Sequence, residues 1–247
     1  MDLKEFFAEN KKAAIAMSGG VDSSYLLAAA ISFGADVGAY FVKSAFQPEF
    51  EFRDAVEVAN ALGAKLKVIN LEVLEIPNVS ENLPSRCFYC KQAIFSAIIK
   101  AAKKDKYMLV LDGTNASDSE EDRPGMQALR ELGVRSPLRE AGLTKDEIRR
   151  LSARMGLKTA VKPAYACLAT RIPTGMVITK ELLHKVEMSE NSLFELGYTD
   201  FRVRIFDGAA RIQLPAAQMS DAILERDAII EAVEPYFTDI FLDLKGR

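Results

Sequence analysis

The chain has 247 residues, of which 49% are hydrophobic and 27% are charged, and its formal net charge is −3. So much apolar content can bury a core, which excludes disorder over most of the length. The charge argues against a surface that binds nucleic acid over its whole extent, because such surfaces are strongly basic. With one histidine, His184, the chain has almost no material for a multi-histidine metal site.

The first twelve residues are charged from residue 2 onward and contain no apolar run of the kind that directs secretion. The longest mostly apolar stretch, residues 25–33, is far too short to cross a bilayer. We therefore expect a cytoplasmic protein without a membrane segment, in a compartment where structural disulfides are rare.

The first half of the chain alternates short apolar runs with segments of helical periodicity. The strands are predicted at residues 13–17, 36–43, 65–71 and 107–112, and the helices at residues 25–33, 50–62 and 92–104. Such alternation predicts the α/β class, with a parallel sheet covered by helices on both faces.

The second half has a different pattern. Two further helices are predicted at residues 124–132 and 144–155, the latter with Thr144 and Glu147 at the spacing of a capping box. After an irregular segment come a helix at 179–196, strands at 200–206 and 209–214, a helix at 218–233 and a strand at 237–243. We predict an α/β domain over residues 1–165 and a small α+β domain over residues 166–247.

A glycine-containing loop separates the first strand from the first helix. Two glycines permit a tight turn that brings backbone N–H groups close to an anion, and the following helix adds its unpaired N–H groups. Serine hydroxyls add donors, and a carboxylate beside a phosphate suits a bridging Mg²⁺. The lysine of a Walker A loop is missing. The residues predicted to bind the nucleotide are Ser18, Gly19, Gly20, Asp22, Ser23 and Ser24.

The loop sequence SGGVDSS resembles the PP-loop of the N-type ATP pyrophosphatases. Those enzymes split ATP between the α and β phosphates and adenylate a substrate oxygen. The resemblance implies a HUP-like twisted parallel sheet with ATP at the carboxyl ends of its strands. It also implies a catalytic and Mg²⁺-binding role for Asp22. Further nucleotide contacts are implied at two strand ends, by Tyr40, Phe41, Gly113 and Thr114.

The three cysteines are Cys87, Cys90 and Cys167, and all have basic neighbours in sequence. Such neighbours favour thiolates, as does the helix predicted to begin near Cys90. A Cys-x-x-Cys pair with a distant third cysteine fits a [4Fe–4S] cluster with one open iron, a zinc site, or a redox pair with a separate nucleophile. We favour the cluster, because PP-loop thiolases with three-cysteine clusters exist as a group.

Nearly the whole chain resembles the LarE family of sulfur transferases. The stretches that carry the resemblance are SGGVDSSYLL (18–27), SRCFYCK (85–91), DGTNASDSEEDRPG (112–125), SPLREAGLTKDEIR (136–149), PAYACLATR (163–171) and FRVRIFDGAARIQL (201–214). Members adenylate a carboxylate of pyridinium-3,5-biscarboxylic acid mononucleotide and convert it to a thiocarboxylate, for the nickel-pincer nucleotide cofactor of lactate racemase.

The family has two branches that differ in the source of sulfur. In one, a cysteine at the position of Cys167 gives up its own sulfur and becomes dehydroalanine. In the other, three cysteines hold a [4Fe–4S] cluster that delivers sulfide. Because this chain has all three cysteines, the resemblance implies the cluster branch, with Cys167 as both ligand and catalytic residue and ATP and Mg²⁺ as further requirements. It also suggests a homo-oligomer.

The substrate carries carboxylates and a phosphate, so cationic contacts are expected. Arg202 and Arg204 alternate on one predicted strand and share a face, and with Arg171 they are candidate anion ligands. The other interpretation of the two strand arginines is a solvated face. The acidic residues Asp118, Glu120, Glu121 and Asp122 are either a solvated loop or include a Mg²⁺ ligand.

Three other functions compete with this prediction. A tRNA thiolase of the same superfamily would need a basic surface and usually an extra RNA-binding domain, and the net charge of −3 and the short stretch after the domain boundary argue against it. An ammonia-dependent amidating enzyme would not need three cysteines. A non-enzymatic nucleotide-binding module would not need Asp22 and the loop serines. We expect ATP and a small nucleotide substrate as partners, and neither nucleic acid nor a membrane.

Overall fold

The computed structural model describes residues 2–118 and 124–247. In chain order, its helices and strands are α1 (Leu3–Glu9), β1 (Lys12–Met17), α2 (Val21–Ser32), β2 (Asp36–Lys43), α3 (Glu49–Ala61), β3 (Leu66–Asn70), α4 (Pro77–Ser80), α5 (Arg86–Lys104), β4 (Val110–Leu111), α6 (Pro124–Glu131), α7 (Pro137–Glu140), α8 (Lys145–Arg154), α9 (Lys180–Glu195), β5 (Arg202–Phe206), β6 (Ala209–Gln213), α10 (Met219–Leu224), α11 (Arg226–Val233) and β7 (Ile240–Leu242). Short 3₁₀ turns occupy Val73–Glu75, Lys158–Val161, Leu168–Arg171 and Ala216–Gln218.

The chain divides into two compact units. The first contains Met1–Val73 and Ser85–Lys162, and the second contains Leu74–Pro84 and Pro163–Arg247. The second unit is therefore built from two separate stretches of chain, a feature that no sequence pattern indicated. The domain boundary between residues 165 and 166 stays a prediction.

The first unit is built on a parallel sheet with strand order β3-β2-β1-β4. Helices flank this sheet, so the predicted α/β class is confirmed. The chain runs outward from β1 to β2 and β3, and then returns to place β4 on the other side of β1. The strand order thus reverses beside β1, and ligands of open α/β sheets bind at such a point, beyond the carboxyl ends of the strands.

The sheet has a separate core on each face. On β2, Ala39 and Phe41 face the core that contains α1 and α2, whereas Tyr40 and Val42 face the core that contains α5 and α6. This alternation follows from the two-residue period of a strand. Helix α1, which the sequence analysis missed, begins with a capping box between Asp2 and Glu5 and buries apolar side chains in the first core.

Several element bounds differ from the predictions. Helix α5 begins at Arg86 rather than at residue 92, so Cys87 and Cys90 lie in its first turns rather than before it. Strand β4 pairs over only Val110–Leu111. The helix predicted over residues 218–233 is divided at Glu225 into α10 and α11.

The second unit contains a three-stranded sheet of order β5-β6-β7. Strands β5 and β6 are antiparallel, and β6 and β7 are parallel. Helix α9 packs against β5 and α11, so this unit is the small α+β fold that the sequence predicted. Within the described residues, none of the helices combines the length and the apolar character that crossing a membrane requires.

Candidate active site

The loop after β1 needs glycine at position 19 for two reasons. Gly19 has φ of +74°, a conformation that is costly for residues with a side chain. A Cβ atom added there would also lie 2.3 Å from the backbone oxygen of Glu51, in the first turn of α3. Since backbone cannot move aside cheaply, this position admits only glycine without a local shift.

Serine hydroxyls fasten the loop to itself. The Oγ atoms of Ser23 and Ser24 donate to the carbonyl oxygen of Gly20, at 3.2 Å and 2.8 Å. The Oγ of Ser18 lies 3.1 Å from that of Ser23 and accepts from the Gly20 N–H at 3.3 Å. These bonds close the turn at the start of α2, where backbone N–H groups can meet an anion.

The stretch after β4 packs directly on this loop. A Cβ atom added to Gly113 would lie 2.9 Å from the backbone nitrogen of Ser23. The side-chain amide of Asn115 donates to Oδ1 of Asp22 at 3.2 Å. The structure thus brings the 112–115 stretch, including the predicted residues Gly113 and Thr114, to the loop of residues 18–24, which we call the phosphate loop after its predicted ligand. In the sequence the two stretches are far apart.

Hydrogen bonds to the Asp112 side chain hold the same stretch in place. Its carboxylate accepts hydrogen bonds from the Thr114 hydroxyl and, at 2.6 Å, from the Ser136 hydroxyl. The Thr114 hydroxyl is therefore engaged inside the stretch, and the residue is buried. A contact of Thr114 with a nucleotide stays a prediction.

Two lysines that the sequence analysis did not single out lie at the loop. Lys145, the first residue of α8, forms an ion pair with Asp22. Lys162 donates to the Gly19 carbonyl oxygen at 3.0 Å and pairs with Asp54. The loop is therefore bordered by two cations, although it lacks the lysine of a Walker A motif.

The predicted capping box of α8 fixes one of these lysines. The Thr144 side chain accepts from the Glu147 backbone N–H, and Glu147 accepts from the Thr144 N–H at 2.9 Å. The Thr144 hydroxyl also donates to Oε2 of Glu147 at 2.7 Å, and this bond, followed by the one from the Thr144 N–H, lowers the pKa of the Glu147 carboxyl. The capping box could have located this lysine from the sequence, because it fixes the start of α8 and Lys145 is the first residue of that helix.

Tyr40 and Phe41 were predicted to contact the nucleotide at the end of β2, and both side chains are buried in the cores. The Tyr40 hydroxyl donates to Asp105 at 2.7 Å, and burial raises the pKa of Tyr40, helped by this bond. Phe41 packs against Phe52. Because both side chains are buried in the cores, a nucleotide at this strand end would have to contact backbone atoms.

Asp22 is the residue for which the resemblance implies Mg²⁺ binding. A carboxylate oxygen suits this hard cation, but here its two oxygens are engaged by Lys145 and Asn115. Among the described residues of either unit, no three His, Cys, Asp or Glu side chains form a metal-binding group. Asp118 of the acidic run accepts from the Asn115 N–H at 3.0 Å. The other acidic candidates, at positions 120–122, lie outside the described residues.

The Cys-x-x-Cys pair lies on the first turns of α5. The positions i and i+3 place both thiols on one side of the helix. Cys87 is exposed, and an Arg86 guanidinium nitrogen lies 3.7 Å from its sulfur. Cys90 is half-buried, and neither is in a disulfide. Two accessible thiols on one face, one beside a guanidinium, suit a sulfur-ligated group.

Cys167 belongs to the second unit and immediately precedes a 3₁₀ turn. It is half-buried and is not in a disulfide. The first two cysteines belong to the first unit, so a cluster held by all three stays a prediction. What the second unit does reveal is how the Cys167 segment is held.

Arg171 ties the Cys167 segment to α9. Its guanidinium pairs with Glu190, with Nε–Oε1 at 2.9 Å and Nη2–Oε2 at 3.2 Å. Its Nη1 donates to the carbonyl oxygens of Ala166 at 2.8 Å and Cys167 at 3.4 Å. Burial lowers the pKa of Arg171, but the hydrogen bonds and charge of Glu190 outweigh it, so the net shift is upward. This geometry favours a positioning role over direct contact with a substrate anion.

Glu190 lies at the centre of this arrangement. Besides Arg171, it accepts from the Tyr165 hydroxyl and from the Val203 backbone N–H at 2.9 Å. The Tyr165 ring lies under the guanidinium groups of Arg171 and Arg202, at 4.4 Å and 5.0 Å. Burial is the main reason that the pKa of Tyr165 is raised. We call these four residues, Tyr165, Arg171, Glu190 and Arg202, the cysteine-loop clamp.

The two strand arginines also bond to the Cys167 segment. Arg202 is buried and donates to the Ala164 carbonyl oxygen, and Arg204 donates to that of Thr170 and to Gln213 at 2.7 Å. Burial lowers the pKa of both guanidinium groups, and the charge of Arg171 adds to this effect. The interpretation as a solvated strand face is wrong for Arg202. Anion binding by either residue stays a prediction.

Three related proteins match over nearly the full chain, and no family model matches it. An uncharacterized protein of Synechocystis sp. is 35% identical over 250 residues, covering 99% of this chain and 93% of its own length. An uncharacterized protein of Methanocaldococcus jannaschii is 32% identical, covering 99% and 93%. The pyridinium-3,5-bisthiocarboxylic acid mononucleotide synthase of Lactiplantibacillus plantarum is 32% identical over 239 residues, covering 96% of this chain and 87% of that enzyme. The chain therefore belongs to the family of this synthase, the LarE family.

Proposed function

We propose that this protein is an ATP-dependent sulfur transferase that converts a carboxylate of pyridinium-3,5-biscarboxylic acid mononucleotide into a thiocarboxylate, for the nickel-pincer nucleotide cofactor. The observation that carries the proposal is the 32% identity to the L. plantarum synthase over 96% of this chain. Two features of the structure support the proposal. The loop at the strand-order reversal suits nucleotide binding, and the fixed segment around Cys167 suits sulfur transfer.

The first step would activate the carboxylate, which is a poor electrophile. A carboxylate oxygen attacks the α-phosphorus of ATP, the bond between the α and β phosphates breaks, and pyrophosphate leaves. An acyl-adenylate remains. The loop N–H groups, Lys145 and Lys162 are the donors and charges near the place where the triphosphate would lie. Mg²⁺ held by Asp22 would neutralise phosphate charge when bound.

The second step would replace AMP by sulfur. A sulfur nucleophile attacks the acyl carbon, the bond from that carbon to the AMP oxygen breaks, and AMP leaves with the electron pair. The nucleophile must be a thiolate or sulfide, because thiols are poor nucleophiles. The cysteine-loop clamp fixes the backbone before Cys167, and Arg204 bonds to the Thr170 carbonyl oxygen after it, which together limit where the Cys167 sulfur can move.

The source of this sulfur is the finer part of the proposal. Three cysteine thiolates at positions 87, 90 and 167 are a suitable ligand set for a [4Fe–4S] cluster, which would offer sulfide at its open iron when bound. The alternative is that Cys167 gives up its own sulfur. A thioester to Cys167 would then lose its Cα proton and break its Cβ–S bond, leaving dehydroalanine and the thiocarboxylate.

Metal analysis separates the two sources. Protein purified without oxygen should contain about four irons per chain, lost on replacing any one cysteine by serine. Repeated turnover with an intact Cys167 would support the cluster. Protein without iron after anaerobic reconstitution, together with the mass loss of dehydroalanine formation after one turnover, would support the sacrificial alternative.

The reaction itself is tested by its products. ATP and the pyridinium dicarboxylate mononucleotide should give AMP, pyrophosphate and a product in which sulfur has replaced oxygen. AMP formation without this substrate, or none with it, would overturn the proposal. Retention of bulk tRNA on a filter at physiological salt would favour a tRNA thiolase instead.

A further inference from the structure

Lys145 and Asp22 form an ion pair across the phosphate loop although 123 positions separate them in sequence. The side chains are 29% and 21% exposed, so the pair is at the border of the site and open to an arriving ligand. The second oxygen of Asp22 accepts from Asn115 at 3.2 Å. Both oxygens of the Asp22 carboxylate are thus engaged.

This arrangement creates a conflict of charge once a nucleotide arrives. The negative charge of Asp22 beside the loop repels the triphosphate. Within the ion pair, the single positive charge of Lys145 is what offsets the charge of Asp22. One ammonium group has three donors but a single positive charge, so it cannot neutralise both anions. We infer that Lys145 is an exchangeable counter-ion: it pairs with Asp22 in the nucleotide-free protein and moves to the triphosphate when ATP binds. The identity of the nucleotide rests on the proposed function.

The two ends of Lys145 are held very differently, as such an exchange requires. The backbone is fixed, because its N–H donates to the Ser117 hydroxyl at 2.9 Å and the Thr144 capping box precedes it. The side chain is a flexible four-carbon stem that ends in a point charge with three donors. When the ammonium leaves, Asn115 still donates to Asp22, so the carboxylate keeps one hydrogen bond.

Lys162 provides the contrast. Its side chain is only 16% exposed, and its ammonium is bonded to the Gly19 carbonyl oxygen as well as to Asp54. Arg149 anchors the backbone of the same segment by donating to the carbonyl oxygens of Ala160 and Lys162, at 2.6 Å and 2.7 Å. Lys162 therefore supports the loop from a fixed position, whereas Lys145 has the freedom to change partners.

The test measures ATP affinity by equilibrium dialysis in EDTA, with the wild type, D22N, K145M and D22N/K145M. We expect K145M to weaken binding by about 10- to 100-fold, the range for loss of a hydrogen bond to a charged group. D22N should tighten binding about 3- to 10-fold, because it releases Lys145. The tightening should be largely lost when D22N is made in the K145M background.

The double variant distinguishes exchange from plain repulsion. If Asp22 acts only by repelling phosphate, D22N tightens binding by the same factor with and without Lys145, and that additivity would overturn the inference. K145R, which keeps the charge, should bind ATP within about threefold of wild type. A K145R protein as weak as K145M would also overturn it, and circular dichroism checks that each variant is folded.

Lys158 and Glu57 supply a matched control pair in the same unit. They form an ion pair with side chains that are 85% and 56% exposed, and neither takes part in the loop contacts described above. E57Q, K158M and their double variant should leave ATP affinity unchanged. A wild type that binds no ATP would refute the proposed function, whereas ATP binding that is indifferent to Lys145 refutes only the exchange.

Discussion

Replacing Glu190 by glutamine tests how the Cys167 segment is held. The side chains of Glu190 and Arg171 are 1% and 0% exposed, so the pair is fully desolvated. Glutamine keeps the volume and one acceptor but leaves the Arg171 guanidinium buried without a counter-charge. Breaking a buried ion pair from one side costs about 3–5 kcal/mol. We expect E190Q to lose about 3 kcal/mol, the low end, because the Ala166 and Cys167 carbonyls still accept from Arg171.

The assay is urea unfolding followed by far-ultraviolet circular dichroism, with the free energy of unfolding extrapolated to water. A local readout accompanies it. In a C87S/C90S background only Cys167 can react with an alkylating agent, and its alkylation should be faster in E190Q than with Glu190 present. Stability and alkylation should change together, since both depend on the same carboxylate.

Arg226 and Asp227 provide the control in the same unit. Their ion pair has side chains that are 74% and 85% exposed, and pairs of that kind contribute at most about 1 kcal/mol. R226Q should therefore be close to wild type. An E190Q protein no less stable than R226Q would refute the argument from burial. The double variant R171Q/E190Q should be less destabilised than the sum of its singles, because neither member of the pair is left buried without the other.

Two further predictions concern the first unit. Gly19→Ala should cost more stability in urea unfolding than Gly63→Ala, because both have positive φ but only Gly19 meets Glu51 backbone; equal losses would contradict this. In a carboxyl NMR titration, Thr144→Ala should raise the pKa of Glu147 toward 4.5, because the Thr144 hydroxyl is the main reason that it is lowered. Because the folded pKa is the lower one, this stabilisation is present above the unfolded pKa and is lost as the pH falls through the folded pKa; a pKa that the substitution leaves unchanged would exclude the bond.

Much of the fold was predictable because its signals are local. The apolar runs of β1 and β2 and the capping box of α8 are properties of short segments, and these elements lie where they were predicted. The first turns of α5 were missed because residues 86–91 lack an apolar period and Ser85 makes no side-chain cap bond. This part of α5 instead makes a tertiary contact with α6. The Lys91 side chain packs over Gly125, where an added Cβ atom would lie 2.9 Å from it.

The site divides in the same way. The loop residues were predictable from their spacing, whereas Lys145 and Lys162 meet Asp22 and Asp54 across 123 and 108 positions. These separations are far longer than the short segments in which sequence patterns are recognised. Such pairs form only in the tertiary fold. The sequence of the phosphate loop, which lacks its own lysine, therefore did not indicate which distant lysines would lie beside it.

The arginines of the second unit show what counting charges in a sequence does and does not predict. Arg171, Arg202 and Arg204 were chosen as cations, and each donates to a backbone carbonyl of the segment around Cys167. Carbonyl oxygens satisfy guanidinium donors but carry no net charge. Within the cysteine-loop clamp, Glu190 supplies one negative charge against two guanidinium groups, so an excess of positive charge remains beside Cys167. We therefore expect the same residues that position the segment to favour an anionic sulfur or carboxylate there, through their field rather than through direct contact.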